Sequence, residues 1–445
     1  MGSIEEIRAM LSRGELSARE LVMDCLERIN ADTTNSVIEL NPEAIEEAAA
    51  LDSAQERGVL YGIPVLVKDN IDTSGAMATS AGSLALAGNI ARKDAPIVRR
   101  LREAGAVVLG KTNMSEFANY MVDYRSTAPM PNGYSSRGGQ TKSTYPGLDP
   151  SGSSTGSAVA VAAGLAPAAL GTETSGSIVA PSQRAGVVGL KPTAGRLPGD
   201  GIVPISFTLD TPGPIATNVA DVAVLFGVMA GQDIVAPKPR GLRVGILKGG
   251  KSDPEWLDAN EALIRHKGLG LQTKYITDQP GLRCTQLLEE DALSFLFPIM
   301  RYEFRHAINL YLQTCGGAIP KTLGEIIDFN NKTPNAMRYG QGNLVAANNI
   351  GHAWAEQPEY IVALDMRREA QKAVSRLFDE FSVDAIFLPG GQYGLAAATG
   401  LPSITIPTGR DEKGHPIGCC IIAPPWKEAE LLAVAAHLEY FANMQ

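Results

Sequence analysis

Two serine-rich turns and one lysine carry the residue types that could do chemistry in this chain. The first turn is Gly152-Ser153-Ser154-Thr155-Gly156-Ser157 and the second is Thr174-Ser175-Gly176-Ser177. Glycine beside serine permits close backbone approach and unusual dihedral angles, and turns of this kind aim several N–H groups at one point, where an anion or oxyanion can sit. A serine nucleophile also needs a base within hydrogen-bond reach, usually histidine. The five histidines (His266, His306, His352, His415 and His437) all lie beyond residue 265, and none neighbours the end of an apolar strand. Lysine is the other available base, provided that burial lowers its pKa from about 10.4 toward neutrality. Lys68 closes the apolar run Ile63-Pro64-Val65-Leu66-Val67, where a parallel-sheet protein places functional groups and where such burial is expected.

Two pattern matches argue for chemistry that their context does not support. Gly105-Ala106-Val107-Val108-Leu109-Gly110-Lys111-Thr112 fits the phosphate-loop pattern letter for letter, but four consecutive apolar residues between its glycines make a strand, not a flexible loop. Gly152-Ser153-Ser154-Thr155-Gly156 fits G-x-S-x-G. A nucleophile elbow follows an apolar strand, whereas the proline-broken loop Tyr145-Pro146-Gly147-Leu148-Asp149-Pro150 precedes this one.

The elements that must position these residues alternate in type. Ile4 to Leu11 reads as a helix, Ser17-Ala18-Arg19-Glu20 is a capping box that starts a second, and Pro42 to Arg57 reads as a third. Asp94 to Ala104 is helical and Ala106 to Leu109 is a buried strand; a small-residue helix follows the first serine turn, and the run Ala168 to Gly171 precedes the second. The chain then reads as loop-rich to Ala216. Val219 to Met229 returns to helix, Leu242 to Leu247 to strand, and residues from about 253 to 357 read as a helical insertion or lid. Val383 to Leu388, Ile404 to Pro407 and Ile417 to Ile422 are strands, and Lys427 to Phe441 is the closing helix. This alternation predicts an α/β fold. No linker-like tract divides it, so one domain is expected over residues 1–445, with its core at about 60–250 and 360–445.

Composition narrows the function. A formal charge of −9 over 445 residues argues against a nucleic-acid surface, which needs a basic stripe, and no apolar run reaches the about eighteen residues of a membrane span. Five cysteines (Cys25, Cys284, Cys315, Cys419 and Cys420) without ligand spacing suit a reducing compartment. The acidic, amphipathic start MGSIEEIRAML is not a secretory or transit signal. A cytoplasmic protein, monomer or homodimer, is the expectation.

Val67-Lys68-Asp69-Asn70, the Gly152-Ser153-Ser154 turn, GTETSGSI and GVVGLKPT together resemble the amidase signature family, whose members share a Ser–cis-Ser–Lys triad; Ser153 and Ser177 stand 24 residues apart, as in the family. NGYSSRGGQT, GIVPISFTLDTPGPI and IPKTLGEIIDFN look most similar to the peptide amidase branch. The resemblance implies a central mixed, largely parallel twisted sheet covered by helices. It makes Ser177 the nucleophile, Ser153 the bridging serine at a cis peptide and Lys68 the base, all three within hydrogen-bond contact, and it gives the oxyanion to backbone N–H groups of Thr174, Ser175, Gly176 and Ser177. Ser175 before Gly176, and Val179 where many relatives carry arginine, depart from the common pattern. The implied activity is hydrolysis of a carboxamide or peptide-like amide through an acyl-enzyme, with no metal or organic cofactor. An amidotransferase A-type subunit that passes ammonia to a partner, and a catalytically silent binding protein on the same fold, are the alternatives. Substrate selection is expected from the insertion and from the loop Tyr124 to Tyr134.

Overall fold

Three strands of largely apolar sequence position the residues of interest. In the computed structural model, which describes residues 1–54, 58–122, 127–233, 241–247, 271–277, 294–388 and 393–442, β1 is Val37–Leu40, β2 Pro64–Lys68 and β3 Val107–Thr112. A two-residue hairpin follows, β4 (Tyr134–Ser135) with β5 (Gly139–Gln140). Next come β6 (Ala168–Glu173), β7 (Val188–Lys191), β8 (Thr211–Ala216), β9 (Arg243–Leu247) and β10 (Gln272–Ile276). The last three are β11 (Ala385–Leu388), β12 (Ser403–Arg410) and β13 (Pro416–Ile422). Every residue of β2, β3 and β6 is buried, as expected for parallel strands covered on both faces.

All but the hairpin join one sheet in the order β1-β3-β2-β6-β8-β7-β12-β13-β11-β9-β10. The sheet is mixed, as expected for the α/β class. Its parallel neighbours are the runs β3-β2-β6 and β11-β9-β10, and the other neighbours are antiparallel. Lys68 lies level with Thr112 on β3, and Val67 with Leu170 on β6. Lys68, Thr112 and Thr172 therefore share the carboxyl edge of the parallel run, where open α/β sheets bind ligands.

Two strands depart from the sequence reading. β8 occupies part of the stretch read as loop, because Pro212, Gly213 and Pro214 are poor strand formers; it is buried throughout and pairs with β6 along its whole length. β10 stands inside the stretch read as helical and pairs in parallel with β9. Residues 251–270 and 278–293 of that stretch, with Cys284 and His266, lie outside the described residues.

The Ser17 capping box forms as read, and a second one joins Ser3 and Glu6. The third helix is shorter than expected, Ala44–Asp52; the Asp52 carboxylate instead accepts the Ala18 and Arg19 N–H groups at 2.7 and 3.1 Å, tying the end of this helix to the start of another. Helices Leu296–Thr314, Leu323–Lys332, Gly342–Asn348 and Pro358–Phe381 follow β10. They share an apolar cluster with Phe117, Tyr120, Val203, Ile205 and Leu209. The adjacent Cys419 and Cys420 fall into different clusters, as opposite faces of one strand require.

Candidate active site

Lys68 is fully buried at the end of β2. Its Nζ lies 2.8 Å from Ser153 Oγ, 2.9 Å from Ser154 Oγ, 2.9 Å from Thr172 Oγ1 and 3.1 Å from the Thr172 carbonyl oxygen. Burial holds its pKa down at about 7, against the opposing pull of the Asp210 and Glu173 carboxylates. A group with that pKa exists in both charge states near neutral pH.

The hydroxyls around Lys68 are not equivalent. Ser154 Oγ donates to the Thr172 carbonyl at 3.0 Å and accepts the Thr172 N–H at 3.2 Å, so toward Lys68 it can only accept. Thr172 Oγ1 accepts from Asn70 Nδ2 at 3.0 Å. Ser153 Oγ has Lys68 as its hydrogen-bond partner among the described residues, and the Gly152–Ser153 peptide bond is cis. The helix Thr155–Ala162 begins directly after this turn. Gly156 in its first turn is required by space: a Cβ there would lie 2.3 Å from the Asn113 carbonyl oxygen and 2.4 Å from that of Ser36.

The second turn joins β6 to the helix Val179–Ala185. Glu173 Oε2, at the end of β6, accepts the Ile178 and Val179 N–H groups at 2.8 and 3.1 Å and so closes the turn on itself. Gly176 takes φ +78°, a left-handed conformation suited to glycine. The backbone N–H groups of Thr174, Ser175, Gly176 and Ser177 donate no hydrogen bond within the described residues. The two turns touch through their backbones, Ser154 N–H to the Ser177 carbonyl at 3.1 Å. Ser177 is 7% exposed, and its hydroxyl is bonded to neither Ser153 nor Lys68. The structure thus brings Lys68 onto Ser153 directly and brings Ser177 beside them through the main chain.

Contacts that the sequence reading did not assign complete the site. The Thr174 hydroxyl donates to Asp210 Oδ1 at 2.6 Å, while Asp210 Oδ2 accepts the Ile205 and Ser206 N–H groups at 2.7 and 2.9 Å. Burial pushes the Asp210 carboxyl up to about 6. In the sequence Asp210 stands out only as the acidic residue of GIVPISFTLDTPGPI, with no role attached to it. Beside it opens a cleft of about 310 Å³, lined by Asn70, Ala118, Thr172, Thr174, Gly195, Leu197, Gly199, Asp200 and the segments 202–207 and 210–212. Ala118 sits in a run of three left-handed residues, Phe117, Ala118 and Asn119. The expected wall Tyr124 to Tyr134 falls partly on residues 123–126, outside the described residues, and residues 127–134 do not line this cleft. Lys111, from the phosphate-loop match, is buried within β3 and donates to the Ile71 carbonyl and, at 3.0 Å, to Thr79 Oγ1. Lys68 has its hydrogen bonds to hydroxyls and a carbonyl, with no histidine among these partners.

The model of the amidase family matches residues 20–393. A probable amidase of Arabidopsis thaliana is 31% identical over 468 aligned residues, covering 98% of this chain and 89% of that protein. The A-type subunit of a glutamyl-tRNA(Gln) amidotransferase from Cereibacter sphaeroides is 32% identical, with 99% and 97% covered. Among solved structures, the native peptide amidase of Stenotrophomonas maltophilia superposes with a TM-score of 0.86 at 35% identity, over 99% of this chain and 97% of that one. An amidase family protein of Bacillus anthracis superposes with a TM-score of 0.87 at 34% identity, over 100% and 91%.

Proposed function

The chain belongs to the amidase family and is an amidase, and from that premise we propose that Ser177, Ser153 and Lys68 carry its reaction. The observation behind this assignment is the contact between Lys68 Nζ and Ser153 Oγ at 2.8 Å, beside a turn whose four N–H groups have no acceptor among the described residues. Ser177 Oγ attacks the amide carbonyl carbon and gives its proton to Ser153 Oγ, as the Ser153 proton passes to neutral Lys68. The negative charge that develops on the carbonyl oxygen is met by N–H groups of the turn Thr174 to Ser177. The C–N bond then breaks, and the proton returns from Lys68 through Ser153 to the departing nitrogen. Water attacks the resulting ester along the same relay in reverse, releasing the acid and regenerating Ser177. Every proton in this sequence is carried by a side chain, so no metal or organic cofactor is assigned.

The substrate is a carboxamide or a peptide-like amide, a reading supported by the likeness to peptide amidase over nearly the whole chain. We read residues 1–445 as one domain, with its core at about 60–250 and 360–445 and an insertion or lid at about 253–357, and as a monomer or homodimer without nucleic acid as partner. The four described cysteines are free and buried, which suits a reducing compartment, and we assign the protein to the cytoplasm. A second reading has one observation in its favour, the 32% identity to an amidotransferase A-type subunit. It requires a partner chain. Ammonia release from a panel of amides by wild type and Ser177→Ala, with size exclusion and mass detection, tests both. Robust release by the isolated wild type, absent in the variant, supports hydrolysis; release only with a copurifying chain supports the second reading.

A further inference from the structure

Phe207 is a large apolar side chain held out of the core. It is 57% exposed, yet the loop that carries it is pinned on both sides. Before it, the Ile205 and Ser206 N–H groups donate to Asp210. After it, the Thr208 N–H donates to Glu303 Oε2 at 3.1 Å, and the Thr208 and Ser206 hydroxyls bond the same carboxylate. Glu303 is itself fully buried and also accepts from the Tyr360 hydroxyl at 2.7 Å. Val203, Ile205 and Leu209 of the same loop are buried in the adjoining apolar cluster. Phe207 instead lines the cleft that also contains Thr172 and Thr174. Its ring meets Trp354 at 5.7 Å and 68°, and His306 at 6.5 Å and 80°, both edge-on, and the His306 and Trp354 rings are 5.3 Å apart.

An ordered loop that presents one aromatic ring to solvent inside a mostly apolar cleft matches the anatomy of a small-molecule site, where rigid apolar walls supply contact area and a few polar groups fix orientation. We infer that Phe207, backed by His306 and Trp354, forms an aromatic subsite that receives an aromatic or bulky apolar group of the amide substrate. The inference rests on the amidase reading above and adds the class of substrate. Asp200 and Asp210 line the same cleft, so the group received is neutral or cationic and not a carboxylate. Phe207 is a specificity-determining residue, and Glu303 positions it through Ser206 and Thr208.

The test compares N-acetylphenylalaninamide with N-acetylglycinamide. For the wild type, kcat/KM should favour the aromatic amide by about tenfold or more. Phe207→Ala should lose that preference, the aromatic amide falling about tenfold further than the glycinamide and mainly through KM, and Phe207→Tyr should restore it. An equal fall on both substrates, or no preference in the wild type, overturns the subsite. Binding to Ser177→Ala by calorimetry separates this from the reaction itself: the aromatic amide should bind about tenfold tighter, and adding Phe207→Ala should remove the difference. Tighter aromatic binding without turnover by the wild type would sink the amidase mechanism and leave the subsite standing; equal binding by an active enzyme would sink the subsite alone.

Discussion

Ser154 and Thr172 lock each other through two hydrogen bonds, the Ser154 hydroxyl to the Thr172 carbonyl at 3.0 Å and the Thr172 N–H to Ser154 Oγ at 3.2 Å. The Ser154 proton is thereby committed to a carbonyl, and its oxygen is covered by two donors, Thr172 N–H and Lys68 Nζ. It is also fully buried. Ser177 has none of these ties. A fluorophosphonate probe should therefore label Ser177 and leave Ser154 unmodified, as read by peptide mapping. An adduct on Ser154 would restore the G-x-S-x-G elbow and refute the assignment.

Truncation of the relay should separate the hydroxyls that carry the proton from the one that only contacts Lys68. Ser177→Ala and Lys68→Ala should each lower kcat by several orders of magnitude, on the order of 10³ or more, and the double variant should be little worse than either alone, because residues that act as a unit are not additive. Ser153→Ala should fall nearly as far. Thr172→Val removes a hydroxyl that contacts Lys68 and Asn70 but not the turn of Ser177, and its loss should be much smaller. A Thr172→Val enzyme as impaired as Ser153→Ala would place the proton path elsewhere.

Much of this site was legible because its signals were local. Lys68 ends an apolar run, and a lysine there had to be buried once the run became a strand covered on both faces. The glycine pattern of the first turn likewise reported a real constraint, since Gly156 packs against two backbone carbonyls. Asp210 and Glu303 were not legible, since their roles arise from partners far along the chain, 36 residues to Thr174 and 97 to Ser206. β8 was hidden for a different reason. Pro212 and Pro214 argue locally for a loop, and only the pairing of Pro214 with Leu170 and Pro212 with Thr172 shows that tertiary context has overridden that preference.

Glu303 offers a stability test independent of catalysis. Its carboxylate is buried and bonded by Ser206, Thr208 and Tyr360. Glu303→Ala leaves those donors unpaired and opens a void, which should cost about 2–4 kcal/mol and lower the urea midpoint without a change in m. Tyr360→Phe removes one of the bonds and should cost about 1–2 kcal/mol. A Glu303→Ala protein as stable as wild type would show that the loop is held by its apolar contacts alone.

The choice of base fixes the sign of the pH profile. Protonated Lys68 cannot accept a proton, so kcat/KM should climb through the lysine pKa, about 7, and level off above it. Burial is the largest cause of that low value, and the Asp210 carboxylate is the strongest of the charges that oppose it. Replacing Asp210 with Asn removes a negative charge that favours the ammonium form, so the pKa of Lys68 falls and the acid limb moves to lower pH. The plateau should fall as well. Asn can still accept from the Thr174 hydroxyl, but its amide group would face the Ile205 and Ser206 N–H groups, donor against donor. The limb is therefore read from profiles normalised to their plateaus, for wild type and Asp210→Asn at one ionic strength, with the residual rate of Lys68→Ala alongside. A limb that stays in place or moves to higher pH would mean that Asp210 does not act on the base electrostatically. A Lys68→Ala enzyme with near-native turnover would show that the base is another group.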